Sequence, residues 1–181
     1  LEETRVGMLI LPDTNGDGFE KLKNICTSKG IKITLCKKGD IIKLDNETIL
    51  EVMNPLEFTT DQLSQQSLNN SSLVLKLIYG ETSFLFTGDI EADAEVWLVE
   101  RGADVDADIL KVPHHGSDSS SSPDFIQRVS PKAAVISVGR NSFGHPSPGV
   151  VGRLEMSGIP VFRTDRDGAV IFKSNGETVK V

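Results

Sequence analysis

A chain of 181 residues with 38% hydrophobic content is long enough to bury one core and has the composition of an ordinary globular protein. Its formal net charge of −7, from 19 Lys and Arg against 26 Asp and Glu, excludes a broadly basic nucleic-acid-binding surface. A local basic pocket, or one made by bound cations, stays open. No apolar run approaches the ~20 residues a membrane-spanning helix requires, and there is no signal-peptide pattern.

In chain order, Val6 to Leu11 reads as a first strand that stops at Pro12. The loop D-T-N-G-D-G (13–18) resembles a calcium loop, but Asn24 stands at the twelfth position where a bidentate Glu is needed, so it reads as a turn feeding a helix. That helix spans Phe19 to Lys29, with Phe19, Leu22, Ile25 and Cys26 at helical spacing and Gly30 as its stop. Cys26 and Cys36 belong to no C-x-x-C pair, which argues against a zinc-thiolate site. Two buried thiols are expected, with a disulfide between them as the alternative. Strands over Ile31 to Cys36, Ile41 to Leu44 and Thr48 to Met53, separated by Gly39–Asp40 and Asp45–Asn46, are expected to form an antiparallel meander.

Residues 57–72 are rich in Gln, Ser and Asn and read as a surface loop. Leu73 to Tyr79 and Ser83 to Thr87 form a hairpin about Gly80–Glu81, and a helix comes next over Ile90 to Arg101. Ile109 to Val112 is a short buried strand closed by Pro113. Ser122–Pro123 starts a helix that runs through Val129, a serine cap with proline at the first helical position. Ala133 to Val138 is another buried strand, Ser147–Pro148 opens a helix ending near Gly158, and Ile159 to Arg163 is a strand. Ala169 to Lys173 and Thr178 to Val181 close the chain as a hairpin about Asn175–Gly176. The front is mostly β and the back alternates strand and helix, which points to an α/β layered fold in one domain, 1–181.

Three polar clusters fall at the ends of three successive core strands: Asp89 after T-G, His114 and His115 after L-K-V-P, and His145 in N-S-F-G-H-P. If those strands are neighbours, a carboxylate and imidazoles converge at one sheet edge, which suits a divalent-metal site. Singly, each has a plain structural reading. Asp89 can be an N-cap, one histidine of the pair a backbone hydrogen-bonding group, His145 a structural residue, and the Ser117 to Ser122 tract a solvated linker.

The order N-N-S-S-L-V-L-K-L, F-L-F-T-G-D, A-D-I-L-K-V-P-H-H-G-S, N-S-F-G-H-P and R-T-D-R-D-G resembles the metallo-β-lactamase-type domain of the ComEC/Rec2 DNA-internalisation competence proteins. The likeness covers roughly the last 110 residues strongly, while K-G-D-I-I-K-L and E-V-M-N-P fit it more weakly. It implies an αββα sandwich. It also implies that Asp89 bridges two divalent ions (Zn or Mn), that His115 is a terminal ligand, and that His114 lies close to the substrate phosphate. Asn70 and Ser72 stand where more distant relatives carry another ligand histidine and are expected to be polar contacts. His145 would line the pocket, and Ser117 with Arg140 would favour phosphate. Lys111 and Arg163 would add local positive potential. Two ions about 3.5–4 Å apart hydrolyse phosphodiesters, and the family's substrate is a DNA strand during uptake, on the extracytoplasmic side of a membrane protein.

The superfamily's motif H-x-H-x-D-H, which supplies most metal ligands, is absent here. The first residue is Leu1 rather than Met. We therefore expect the C-terminal part of such a domain, incomplete at its N-terminal side and unable to complete a dinuclear site, inactive by itself, and inclined to dimerise through an uncovered sheet edge. The alternatives are another phosphoesterase, a lactone or lactam hydrolase on the same fold, or a non-catalytic DNA-binding module.

Overall fold

A computed structural model describes residues 5–13, 20–55 and 68–181. Strand β1 (Met8–Pro12), helix α1 (Glu20–Ser28) and strand β2 (Lys32–Cys36) form one unit, with β1 and β2 paired in parallel as a separate two-stranded sheet. The expected meander thus begins one strand later than the sequence suggests. A helix between two strands returns the chain to its starting end, so β2 runs alongside β1 instead of hairpinning onto the next strand. Cys26 and Cys36 are both buried free thiols. The turn over 14–18 and Phe19 lie outside the described residues, as does 57–67 of the polar loop.

Seven strands make the main sheet in chain order: β3 (Ile41–Lys43), β4 (Thr48–Asn54), β5 (Val74–Tyr79), β6 (Thr82–Phe86), β7 (Ile109–Lys111), β8 (Ala133–Ile136) and β9 (Val161–Arg163). Pairing is antiparallel from β3 to β6 and parallel from β6 to β9. The switch comes from the connections. Short turns join β3 to β4 and, at Gly80–Glu81, β5 to β6. The parallel strands are joined by α2 (Ala92–Glu100), α3 (Pro123–Val129) and α4 (Pro148–Met156). Successive right-handed crossovers advancing one way along a sheet put their helices on one face. Accordingly Leu98, Phe125, Ile126 and Leu154 pack with Leu85, Leu110, Val112 and Ile136 in a single buried core.

These helices have 7 to 9 residues, too short to persist alone, so packing and caps hold them. Each fully buried Leu or Phe contributes about 1.5–3 kcal/mol. Ser122 accepts the Phe125 N–H at 3.3 Å and Ser147 the Gly149 N–H at 3.2 Å, each with proline next in the chain, as the sequence predicts. Helix α2 departs from expectation. It begins at Ala92, with Glu91 as its N-cap residue and no side-chain cap, so Asp89 is not a capping group. Ile90 is instead drawn fully into the core.

On the opposite face, Phe172 meets Phe84 and Phe162 edge-on, at 6.3 and 5.9 Å between ring centroids. The one-turn helix α5 (Thr164–Asp167) and the hairpin β10 (Lys173–Ser174) with β11 (Val179–Lys180) finish the chain.

Candidate active site

The carboxyl ends of β6, β7 and β8 lie side by side, so the three polar clusters leave the sheet at one edge. After β6, the Thr87 hydroxyl donates to Lys111 O at 2.8 Å and Gly88 turns with φ +56°. A Cβ on Gly88 would stand 2.6 Å from the Ser72 Cβ, so only glycine lets this turn pass the short 3-10 turn Leu68–Ser71. The Asp89 N–H then donates to Ser72 Oγ at 3.2 Å, leaving the carboxylate to face the sheet edge.

After β7, Pro113–Gly116 forms a 3-10 turn in which His114 and His115 both have left-handed backbones, φ 45° and 54°. Non-glycine residues there are uncommon and cost energy that the surroundings must supply. The surroundings are specific. His114 N–H donates to Gly88 O at 3.2 Å, and a Cβ on Gly116 (φ +78°) would lie 2.7 Å from the Pro146 Cβ, so the turn is wedged between its two neighbouring loops.

The result is a facing pair. His115 Nδ1–H donates to the Ser137 carbonyl at 2.6 Å, which fixes the tautomer and leaves the lone pair on Nε2. That nitrogen is 3.6 Å from Asp89 Oδ1, and both side chains stay accessible, at 44% and 42% exposure. Lys111 Nζ stands 4.0 Å from the same Asp89 oxygen and donates to Gly88 O at 2.9 Å. Burial pushes its ammonium below the usual lysine range, with the Asp89 carboxylate pulling it back up. His114 Nδ1 is buried 3.3 Å from Glu91 Oε1 without hydrogen-bond alignment, and its ring lies 5.6 Å from that of His145. Burial, then the neighbouring imidazoles of His114 and His115, hold His145 below its ordinary value.

The donor chemistry of Asp89 and His115 suits a first-row divalent cation: a carboxylate faces an imidazole whose other nitrogen is held by a carbonyl. Yet among the described residues no three His, Cys, Asp or Glu side chains converge as a metal set. Among the described residues, Asp89 and His115 fit a part of a divalent-metal site.

The other expected residues are spread around this pair. Asn70 is buried, its Oδ1 accepting the Glu91 N–H at 2.8 Å, and Ser72 is committed to Asp89. The Ser117 and Ser119 hydroxyls are hydrogen-bonded at 3.0 Å. Arg140 and His145 line a cleft of about 440 Å³ together with His115, Asn141 and Phe143. Arg163 is neutralised by Asp165 through bonds of 3.0 and 2.7 Å, so it adds no free charge to the edge. Glu91 is a site residue that sequence reasoning misses. It collects His114, the Ser119 hydroxyl (3.2 Å) and the Asn69 amide (3.4 Å), and its one sequence signal is its place two residues after Asp89.

The sequence signature of the metallo-beta-lactamase superfamily matches residues 31–140, more than half of the chain. The chain belongs to that superfamily. It is 33% identical over 180 residues, 96% of its own length, to the ComE operon protein 3 of Bacillus subtilis, and 40% identical over 106 residues, 58% of its length, to the competence protein ComA of Neisseria gonorrhoeae. It spans 22% and 15% of those two relatives. Among solved structures it resembles a protein from Parabacteroides distasonis named as a metal-dependent hydrolase, with a TM-score of 0.51 at 17% identity over 87% of this chain and 75% of that one. That likeness is one of fold, and it agrees with the α/β architecture expected of the superfamily. No helix among the described residues is long and apolar enough to cross a membrane.

Proposed function

We propose that this chain is the portion of a metal-dependent phosphodiesterase, acting on single-stranded DNA during natural competence, that carries the second half of its metal site. The reading rests on one observation above all: Asp89 Oδ1 and His115 Nε2 face each other at 3.6 Å with the imidazole locked by Ser137. In this reading Asp89 is the bridging carboxylate and His115 a terminal ligand. His114, held beside Glu91, stands toward the substrate phosphate. The remaining ligands, carried in this superfamily by H-x-H-x-D-H, come from a part of the parent protein outside this sequence, in keeping with the small share of its relatives that the chain spans. Arg140 and Lys111 offset the acidic charge of the domain locally, while Asn70, Ser72 and Ser117 shape the loops around the phosphate. The parent is a bacterial membrane protein, and we place this segment on its extracytoplasmic side.

The test joins the upstream segment to this chain and monitors Mn²⁺-dependent breakdown of single-stranded DNA, with Asp89→Ala alongside. Degradation that disappears in the variant is the expected result. A protein that binds two ions and leaves DNA intact keeps the metal reading and removes the substrate.

A further inference from the structure

The cleft beside His115 carries an aromatic ring that the hydrolytic reading leaves unused. Phe143 is 79% exposed, an unusual position for a phenyl side chain. Its ring lies nearly parallel to His145, at 5.9 Å and 21°, and His145 in turn stands 5.6 Å from His114. One side of the phenyl ring is therefore backed by an imidazole while the rest looks into solvent. The loop that presents it is braced from inside. Asn141 Nδ2 donates to Gly139 O (2.9 Å) and His145 O (2.8 Å), and its Oδ1 accepts the N–H groups of Phe143 (3.0 Å) and His145 (3.1 Å). A single side chain thus fixes the backbone on both sides of the ring. The exposed Arg140 lines the same cleft, whose volume of about 440 Å³ falls in the range of small-molecule sites.

We propose that Phe143 is the stacking platform for one unpaired base of a single DNA strand whose backbone runs past Arg140 toward Asp89 and His115. The inference rests on the DNA reading above and deepens it. An aromatic face beside a cation at the mouth of a phosphate-directed cleft is how strands are held without regard to sequence, since every base offers a π-face. In a duplex the bases are already stacked on one another, so this platform selects single strands.

The experiment measures binding of the protein to fluorescein-labelled dT20, to a duplex of the same length and to a dT20 with abasic sites, all in buffer freed of divalent cations so that no strand is cut. Phe143→Ala is expected to weaken dT20 binding roughly 5- to 150-fold, the range carried by one base–aromatic stack, and to leave duplex binding unchanged. Abasic dT20 should bind the wild type and Phe143→Ala equally. Phe143→Trp should retain affinity, with indole fluorescence quenched by dT20 beyond any change at Trp97. Arg140→Ala should weaken single strand and duplex alike. If dT20 binds the wild type and Phe143→Ala equally, the stacking site is overturned while the DNA reading stands. If the wild type binds no dT20 at all, the DNA reading falls and this inference with it.

Discussion

Left-handed backbone at Gly88, His114, His115 and Gly116, rather than any unusual side chain, brings Asp89 and His115 together at the ends of β6 and β7. Gly116 illustrates how strictly. Its φ of +78° and the 2.7 Å that would separate an added Cβ from the Pro146 Cβ act in the same direction, whereas Gly102, at φ +62°, has nothing within 4 Å of that position. Alanine at Gly102 should therefore cost only the left-handed backbone penalty, about 1 kcal/mol, and alanine at Gly116 that penalty plus the clash, about 2–4 kcal/mol. Urea unfolding of the two variants measures the difference, and equal losses would show that the two loops are not wedged. Nothing in the sequence distinguishes these two glycines, because the constraint on Gly116 depends on Pro146, far along the chain in another loop.

At the level of elements, a buried carboxylate organises the serine-rich loop after the two histidines. Glu95, fully buried on α2, accepts the N–H groups of Ser121 and of Ser122, the latter at 2.8 Å, while Arg153 from α4 donates to Ser121 O (3.0 Å) and Ser120 O (3.1 Å). Burial lifts the Glu95 carboxyl above its ordinary value despite the N–H groups of Ser122 and Ser121 and the charge of Arg153. A carboxyl whose folded value is raised gives its full stabilisation below the unfolded value of 4.5 and loses it as pH rises through the folded value. Glu95→Gln removes that titration. The stability of the wild type relative to this variant should thus fall as pH rises from 4.5 toward neutrality, read from urea midpoints of both proteins along the series. A difference that grows with pH would mean that the hydrogen bonds outweigh desolvation. This clamp is not legible in the sequence, since a lone Glu in a helix reads as a solvated residue until the fold turns it inward. Local signals fare better: both Ser–Pro helix starts and the hairpin at Gly80–Glu81 stand where their residues predict, because caps and tight turns are decided by neighbours in sequence. The partner of β2 is illegible for the opposite reason. Strand patterning states which residues are half-buried and is silent on which strand lies alongside.

For the molecule as a whole, the two halves of the main sheet do different work. In the antiparallel half short turns join β3 to β4 and β5 to β6, whereas the parallel half places three loops at one edge, and these carry Asp89 and His115. Two facing ligands, with the Lys111 ammonium 4.0 Å from one of them, make a poor cation site. Linkage makes that weakness measurable. A ligand that binds only the folded state raises stability by RT ln(1 + [L]/Kd), about 4.1 kcal/mol when present at a thousand times Kd. For this chain alone, millimolar Mn²⁺ should leave the urea midpoint unchanged within error, and Asp89→Ala should behave identically. Manganese is the useful probe because the thiols of Cys26 and Cys36, buried in the fold and exposed on unfolding, would draw zinc to the unfolded state and mask a real site. A midpoint that climbs with Mn²⁺ in the wild type but not in Asp89→Ala would mean that Asp89 and His115 recruit enough further ligands within this chain to close a site, and that the separate upstream contribution proposed here is not needed for binding the metal.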